Sequence, residues 1–332
     1  MTKVLAIETS CDDTSIGIIS YDNGFFAVEK LVAYSQIADH QKYGGVVPEI
    51  ASRLHSEKII ALLEEIGMDA IRTVDAIAVT ANPGLPGSLV VGKTAAHFLS
   101  TYLQKPVLPI NHIHGHIFSI LAERNISELK LPYVVLSVSG GHNDIYLVDE
   151  NSEKIVWKYS ITKLGTTRDD AAGECFDKVS RMLWGPYPGG VRISEKALKG
   201  NPESGIVFKR IFLEADKFDF SFSGMKSQVH YFLENMKKQS KDLDEQTICD
   251  IAYAFQESVV EVLANKLIKA AQQYSAQTIG IVWWVSANKR LREYTQEHAA
   301  HKRVTAQILK PTKNIYSTDN AAMIGVVGLL WL

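Results

Sequence analysis

Residues 133–148 read YVVLSVSGGHNDIYLV, two apolar runs joined by a Ser-Gly-Gly turn. Each run has the length and composition of a β-strand, and the glycines between them favour a hairpin. A second hairpin is predicted near the N-terminus, where apolar residues 4–7 and 16–20 flank the polar segment ETSCDDTS. The two predicted hairpins indicate a weak internal duplication.

The segments around the hairpins alternate between strand and helix patterns, which indicates an α/β fold class. Apolar residues recur with helical spacing at residues 49–66, 89–103, 169–183 and 253–274. Short apolar strands are predicted at residues 76–80, 107–110 and 278–285. The apolar C-terminal segment AAMIGVVGLLWL is shorter than the ~20 residues that a transmembrane helix needs, so we interpret it as a terminal helix packed on the core.

Composition and charge limit the class of protein. The 332 residues suggest two domains, and a hydrophobic fraction of 46% is ordinary for a globular chain with a buried core. The formal net charge of −2 indicates no bulk affinity for nucleic acid, so any such surface must be a local patch. Three widely spaced cysteines, Cys11, Cys175 and Cys249, favour reduced thiols and a cytoplasmic location.

Residues 112–116 read HIHGH, which predicts a metal site if the segment is helical. Positions i and i+4 share a helix face, so His112 and His116 could bind one cation. Neutral imidazole suits zinc, iron, nickel or copper better than magnesium or calcium. A distant carboxylate must complete the site, and Asp319 in the segment STDN is the candidate. The alternatives are that the histidines only pack, and that Asp319 caps a helix.

Three further sets of residues suit a nucleotide. The glycines of Ser139-Gly140-Gly141-His142 let a backbone approach a ligand, and exposed N–H groups there could bind phosphate oxygens; a simple turn is the alternative. In the segment DDAAGECFDK, Asp177 could accept hydrogen bonds from a ribose, or pair with a neighbouring basic residue. Asn288 follows a predicted strand and offers both a donor and an acceptor to a base or ribose.

Residues 87–94, GSLVVGKT, fit the literal P-loop pattern G-x-x-x-x-G-K-T. In a P-loop, the phosphate-binding loop follows a strand, and the helix begins only at the lysine. The intervening Ser-Leu-Val-Val favours a helix that has already begun. We therefore predict that this segment is not a P-loop.

These segments, in this order, resemble the TsaD family, the tRNA N6-adenosine threonylcarbamoyltransferases. The resemblance runs from residue 4 to residue 324 and is carried by IETSCDDTS, HQKYGGVVPEIASRLH, NPGLPGSLVVGKTAA, HIHGH, SVSGGH, DDAAGECFDKVSRML, YPGG, DFSFSGMKS, AFQESVVEVL, VSANKRLRE and STDNAAMI. It implies a two-lobed α/β fold of the actin, Hsp70 and sugar-kinase (ASKHA) superfamily, with a duplicated ribonuclease H-like core. The N-terminal lobe is expected at residues 1–110 plus 316–332, and the C-terminal lobe, with a helical insertion, at residues 111–315.

The resemblance also implies ligands. His112, His116 and Asp319 match the family's ligands for one divalent metal ion, iron or zinc. ATP, ADP or threonylcarbamoyl-AMP is the expected nucleotide ligand. Residues 137–141 match the family's phosphate-facing hairpin. The expected contacts are Ser137, Val138, Ser139, Gly140, Gly141, Asp177, Gly190 and Asn288.

The implied reaction transfers the threonylcarbamoyl group from threonylcarbamoyl-AMP to N6 of the adenosine 3′ to the anticodon, in tRNAs that read codons beginning with A (t6A biosynthesis). The implied partners are tRNA and TsaB-like and TsaE-like proteins, and no membrane partner is expected. The chemistry needs no protein nucleophile, so Cys11 and Cys175 are interpreted as structural.

One departure from the family pattern suggests alternative functions. Trp283 and Trp284 stand where the family carries two glycines, and each aromatic residue adds ~150–250 Å² of side-chain surface. The indoles are expected to obstruct the nucleotide or change its stacking. An impaired scaffold that binds a TsaB-like partner, and an ATPase or phosphotransferase of the same superfamily, are the alternative functions. A metallopeptidase is disfavoured, because HIHGH lacks the glutamate of H-E-x-x-H.

Overall fold

The computed structural model describes residues 1–138, 140–151, 158–185, 188–212, 217–283 and 288–332. The chain forms two units. The first comprises Met1–Lys130, Asn151–Tyr159 and Lys310–Leu332, and the second comprises Leu131–Glu150 and Ser160–Leu309.

The described part of the first unit contains strands β1 (Thr2–Glu8), β2 (Asp13–Asp22), β3 (Phe25–Ser35), β4 (Ala76–Asn82) and β5 (Val107–Asn111). They form one sheet in the order β3-β2-β1-β4-β5. β1, β2 and β3 pair antiparallel, whereas β4 pairs parallel to both β1 and β5. The helices of this unit are α1 (Ile37–Gln41), α2 (Pro48–Ile66), α3 (Met68–Ile71), α4 (Pro86–Leu103), α5 (His112–Phe118) and α11 (Ala321–Trp331).

Neighbouring side chains of β1 face opposite layers of helices, because successive strand residues alternate between the two faces of a sheet. Leu5 packs with Ile59 of α2 and Leu99 of α4 in one hydrophobic core. Val4 faces α11, where a Cβ added at Gly328 would lie 3.9 Å from the Val4 side chain. The apolar C-terminal segment is thus a core helix, as the sequence predicted. Across the described residues, no helix has the length and apolar character required for a membrane span.

The described part of the second unit contains strands β6 (Tyr133–Val138), β7 (Asn143–Glu150), β8 (Tyr159–Thr166), β9 (Thr278–Val282) and β10 (Gln307–Leu309). Their order is β10-β9-β6-β7-β8. The β6–β7 pair is antiparallel, and the β6–β9 and β9–β10 pairs are parallel. The helices are α6 (Ala172–Met182), α7 (Gly189–Ala197), α8 (Ser223–Lys238), α9 (Glu245–Gln273) and α10 (Lys289–His301).

The two sheets share one topology. Read from the opposite edge, the second sheet runs β8-β7-β6-β9-β10, which matches β3-β2-β1-β4-β5 strand for strand. In both sheets the central strand pairs antiparallel with the strand that follows it and parallel with the strand on its other side. The internal duplication inferred from the two hairpins, and the α/β class, are confirmed.

Residues 111–130 belong to the first unit, whereas the sequence analysis expected them in the second lobe. The physical reason is that α5 packs directly on α11. A Cβ at Gly115 would lie 3.0 Å from the side chain of Ile324. Further along, Arg124 donates a hydrogen bond to the carbonyl oxygen of Lys310 at 2.9 Å. These contacts join segments that are distant in the sequence, so local patterns do not indicate them.

Asp169 caps a neighbouring helix instead of beginning its own. The sequence predicted a helix from residue 169, but α6 begins at Ala172. The Asp169 carboxylate accepts hydrogen bonds from the backbone N–H groups of Phe222 (2.8 Å) and Ser223 (3.2 Å) at the start of α8. It also accepts from the hydroxyl groups of Ser221 (2.5 Å) and Ser223 (2.7 Å). Partial burial opposes ionisation, yet these hydrogen bonds hold the pKa of Asp169 below its ordinary value.

We expect Asp169→Ala to lower the free energy of unfolding by about 1 kcal/mol at pH 7, because the start of α8 loses its cap. The folded-state pKa is depressed, so the contribution of the carboxylate is complete above the unfolded pKa of ~3.9 and is lost as pH falls through the folded pKa. Urea denaturation at pH 7 and pH 3 should therefore show that the free energies of unfolding of Asp169→Ala and the unaltered chain differ less at pH 3. The matched control is Asp242→Ala at an exposed position; an equal loss in both variants would contradict the capping role.

Candidate metal centre

The two histidines of HIHGH are placed by the start of α5. Strand β5 ends at Asn111, whose side-chain oxygen accepts the backbone N–H groups of Ile113 (2.8 Å) and His114 (3.3 Å). This cap starts the helix at residue 112, and helical spacing then brings His112 and His116 to one face. Both side chains are buried, and their Nε2 atoms lie 3.1 Å apart.

Asp319 joins them from the segment before α11. Its Oδ1 lies 3.0 Å from Nε2 of His116 and 3.6 Å from Nε2 of His112. The cap of α11 is the next residue, Asn320, whose side-chain oxygen accepts the N–H of Met323 at 3.1 Å. Asp319 is therefore available to the histidines, and the alternative that it caps the helix is wrong. Asn320 is a positioning residue that the sequence analysis did not single out.

The glycine of HIHGH explains how α11 comes close enough. A Cβ at Gly115 would lie 3.0 Å from Ile324 and 3.1 Å from Met323, both near the start of α11. A larger residue would crowd these two side chains. The histidine spacing places both imidazoles on one face of α5, and the glycine between them lets α11 pack closely there.

Charge inside the cluster favours a cation. Burial opposes the charged form of His112, but the carboxylates of Asp319 and Glu8 raise its pKa to about 9. Burial lowers the pKa of His116 to about 4. Burial would raise the pKa values of Glu8 and Asp319, but both are lowered, chiefly because His112 lies beside them. Two carboxylates against one imidazolium leave a negative charge that a divalent ion would balance.

The donor set fits one transition-metal ion. One ligand atom from each of His112, His116 and Asp319 lies within 4.8 Å of the others. Two imidazole nitrogens and one carboxylate oxygen suit zinc or iron(II) better than magnesium or calcium. Three protein ligands leave a coordination position for a substrate atom or water.

The nucleotide positions expected from the sequence lie in the second unit, around the starts of α6 and α7. Gly140 and Gly141 form the turn between β6 and β7, and a Cβ added at either would meet no atom within 4 Å. The carbonyl of Gly140 accepts the N–H of Glu174 at 3.1 Å, which ties this turn to α6. Ser137 and Val138 lie buried at the end of β6, and Ser139 falls outside the described residues.

Asp177 and Gly190 come together at the start of α7. Oδ1 of Asp177 accepts the N–H of Gly189 at 2.6 Å, and burial raises the pKa of this carboxyl despite that bond. A Cβ at Gly190 would meet no atom within 4 Å, so its backbone has an open side. The neighbouring basic residues do not take Asp177 as a direct ion-pair partner among the contacts described; it caps a helix.

Asn288 is held by hydrogen bonds within the protein. Its side-chain oxygen accepts the N–H of Leu291 at 3.0 Å and so caps α10. Its amide nitrogen donates to Ser194 at 3.2 Å and to Gln256 at 3.0 Å. Ser194 in turn donates to the carbonyl of Gly190 at 3.0 Å, which links Asn288 to the start of α7.

The P-loop pattern has a structural explanation. α4 begins at Pro86, so residues 87–94 are helical throughout and form no phosphate-binding loop, as predicted. A Cβ at Gly92 would lie 2.4 Å from the hydroxyl of Thr9, which donates a hydrogen bond to the carbonyl of Ser88 at 2.9 Å. Gly92 is therefore required for the close packing of α4 on the segment that follows β1.

Comparison with known proteins decides the family. The TsaD model, described as tRNA N6-adenosine threonylcarbamoyltransferase, matches residues 28–326. Two proteins of that name, from Bdellovibrio bacteriovorus and Bacillus cereus, are 43% and 42% identical to this chain. The alignments cover 99% of this chain and 92% and 91% of those proteins. The chain belongs to the TsaD family.

Solved structures agree with the fold class. HypF from T. kodakarensis superposes with a TM-score of 0.58 at 12% identity, and a full-length HypF in a phosphate- and nucleotide-bound form with 0.59 at 12%. Each match covers 99% of this chain but only 47% and 55% of those chains, so this chain spans about half of their length. At this identity the likeness concerns the fold alone, and it agrees with the α/β class.

Trp283 departs from the glycine expected in the TsaD family, and its backbone shows why glycine suits the position. Trp283 directly follows β9 and adopts a φ of +70°. Glycine populates this left-handed region freely, whereas a bulky residue is rare there. The indole is buried, with 9% of its surface exposed. Trp284 falls outside the described residues.

We expect the chain to bind one zinc ion, and His116→Ala to weaken binding by more than roughly 100-fold, because loss of a ligand should exceed the 10–100-fold effect of losing an outer hydrogen-bond partner. The matched control is His114→Ala, on the same helix but outside the ligand group. Competition with a chromophoric chelator measures both affinities. Equal weakening in the two variants would exclude the His112–His116–Asp319 site.

Proposed function

We propose that this chain is a metal-dependent tRNA N6-adenosine threonylcarbamoyltransferase. It transfers the threonylcarbamoyl group from threonylcarbamoyl-AMP to N6 of the adenosine 3′ to the anticodon, in tRNAs that read codons beginning with A. The observation that carries this proposal is a His–His–Asp group with two buried histidines, in a chain that belongs to the TsaD family over nearly its whole length.

In this proposal, His112, His116 and Asp319 hold one iron or zinc ion. Such an ion, when bound, stabilises negative charge on a carbamoyl or phosphate oxygen. The nucleotide contacts are assigned to Ser137, Val138, Ser139, Gly140, Gly141, Asp177, Gly190 and Asn288. The space beside Gly140, Gly141 and Gly190, where an added Cβ would meet no atom within 4 Å, supports phosphate or ribose binding there.

The side chains of Asp177 and Asn288 form different hydrogen bonds within the protein. Both side chains already cap helices, so their polar atoms are fixed in direction. Besides the nucleotide contacts assigned to them, Asn288 holds the start of α7 through Ser194, and Asp177 holds the N–H of Gly189. These bonds fix the start of α7, where Gly190 lies.

The acceptor amine attacks the carbamoyl carbon of the mixed anhydride, and AMP leaves. No thiol nucleophile is required, and the cysteines are poor candidates for one. Burial raises the pKa of Cys175 to about 12 and the pKa of Cys11 still further, so neither is a thiolate at neutral pH.

The partners follow from the function. We propose tRNA as the acceptor substrate, TsaB-like and TsaE-like proteins as partners in the complete reaction, and the cytoplasm as the site of action. No membrane partner is required by this chemistry.

One observation favours a second candidate function. Trp283 keeps a left-handed backbone at a position where glycine is expected, and its indole is buried. A TsaD-fold scaffold with impaired activity, which binds a TsaB-like partner, would result if the indoles obstruct the nucleotide.

We expect the unaltered chain to modify unmodified tRNA when it is supplied with threonylcarbamoyl-AMP and with TsaB-type and TsaE-type partners. Asp319→Ala should abolish this transfer, because it removes a metal ligand. The measurement is the formation of threonylcarbamoyladenosine in digested tRNA, detected by mass spectrometry.

A Trp283→Gly/Trp284→Gly variant, assayed in parallel, separates the two candidate functions. Transfer by both proteins supports the transferase. Transfer by the glycine variant alone supports the impaired scaffold, and transfer by neither contradicts the transferase assignment.

A further inference from the structure

The two ring nitrogens of His112 face different surroundings. Nε2 faces His116 and Asp319, at 3.1 Å and 3.6 Å. Nδ1 lies 3.1 Å from Oε2 of Glu8 and 3.1 Å from the hydroxyl of Ser10. One side of the ring is thus directed to the metal group, and the other to the last residue of β1 and the segment that follows it.

Glu8 is held in place from both of its oxygens. Oε1 accepts the backbone N–H of Ser10 at 2.5 Å, and Oε2 accepts the hydroxyl of Thr80 on β4 at 2.5 Å. The residue has no exposed surface. A buried carboxylate is costly unless it is paired and hydrogen-bonded, so this position requires a positively polarised partner. The ring of His112 provides one.

Glu8 is not a member of the ligand group. The atoms that lie within 4.8 Å of one another belong to His112, His116 and Asp319. Glu8 contacts the nitrogen of His112 that does not face that group. The carboxylate of Glu8 is buried and faces His112 instead of solvent.

We propose that Glu8 is a positioning residue for the metal centre: it accepts the Nδ1–H of His112 and so fixes the tautomer that presents Nε2 to the ion. A carboxylate behind a histidine ligand sets the ring orientation and raises the basicity of the metal-facing nitrogen. The inference rests on the metal site of the proposed function. It does not depend on the identity of the group that the protein transfers.

The hydrogen bonds around Glu8 determine how the side-chain amide of Glu8→Gln is oriented. The amide oxygen must take the place of Oε1, because the N–H of Ser10 can only donate. The amide NH₂ then replaces Oε2 and points at Nδ1 of His112, while the hydroxyl of Thr80 turns to accept. An N–H directed at Nδ1 favours the opposite tautomer, in which Nε2 carries the proton and cannot bind a metal ion.

The test compares Glu8→Gln with Thr80→Val, which removes a hydrogen bond to the same carboxylate oxygen but keeps the carboxylate. We expect Glu8→Gln to weaken zinc binding 10–100-fold, the range for loss of an outer-shell partner, and Thr80→Val to weaken it less than about threefold. Chelator competition gives the affinities, and circular dichroism shows whether each variant is folded. Zinc binding by folded Glu8→Gln that equals the unaltered chain would overturn the proposal.

A second measurement needs no variant. Histidine ¹⁵N–¹H correlation spectra of the zinc-loaded, unaltered chain, with His112 assigned from a His112→Gln spectrum, should show its proton on Nδ1. A proton on Nε2 would overturn the proposal. If the unaltered chain binds no zinc, both this inference and the metal site fail; if it binds zinc as expected but transfers no threonylcarbamoyl group, only the proposed function fails.

Discussion

The imidazole of His112 lies beside the carboxylates of Glu8 and Asp319 and holds the pKa values of both below the ordinary range, although burial opposes their ionisation. An unpaired buried charge costs several kcal/mol, so the elements that carry these residues must converge. The end of β1 brings Glu8, the start of α5 brings the histidines, and the segment before α11 brings Asp319. Two close approaches accompany this convergence, that of α11 at Gly115 and that of α4 at Gly92.

The second unit uses polar side chains differently. Asp169, Asp177 and Asn288 each accept backbone N–H groups at the start of a helix, at α8, α7 and α10 respectively. Residue types that suit a ligand are also those that suit a helix start, because both roles require an oxygen that accepts N–H bonds. Asp177 and Asn288 are therefore fixed in direction by the protein, whereas an added Cβ at Gly140, Gly141 or Gly190 would meet no atom within 4 Å.

Several inferences from the sequence hold in the structure for identifiable reasons. The hairpins, the α/β class and the helical face of His112 and His116 follow from periodicities of two and 3.6 residues, which act over short stretches. The P-loop pattern was correctly rejected, because four apolar or small residues inside the motif favour helix over loop. The predicted start of α6 at residue 169 was wrong. Asp169 has a hydrogen-bond partner more than fifty residues away in the sequence, which local propensity does not reveal.

The sequence by itself determined the family, the strand and helix pattern, and the set of residues from which a metal centre could be built. Only the tertiary structure decided which of them meet. Asn320, and not Asp319, caps α11; Glu8 supports His112 instead of binding an ion; and residues 111–130 pack with the first unit. The physical reason is that periodicity reports on neighbours within a few residues, whereas the pairing of buried charges depends on strands and helices brought together from opposite ends of the chain.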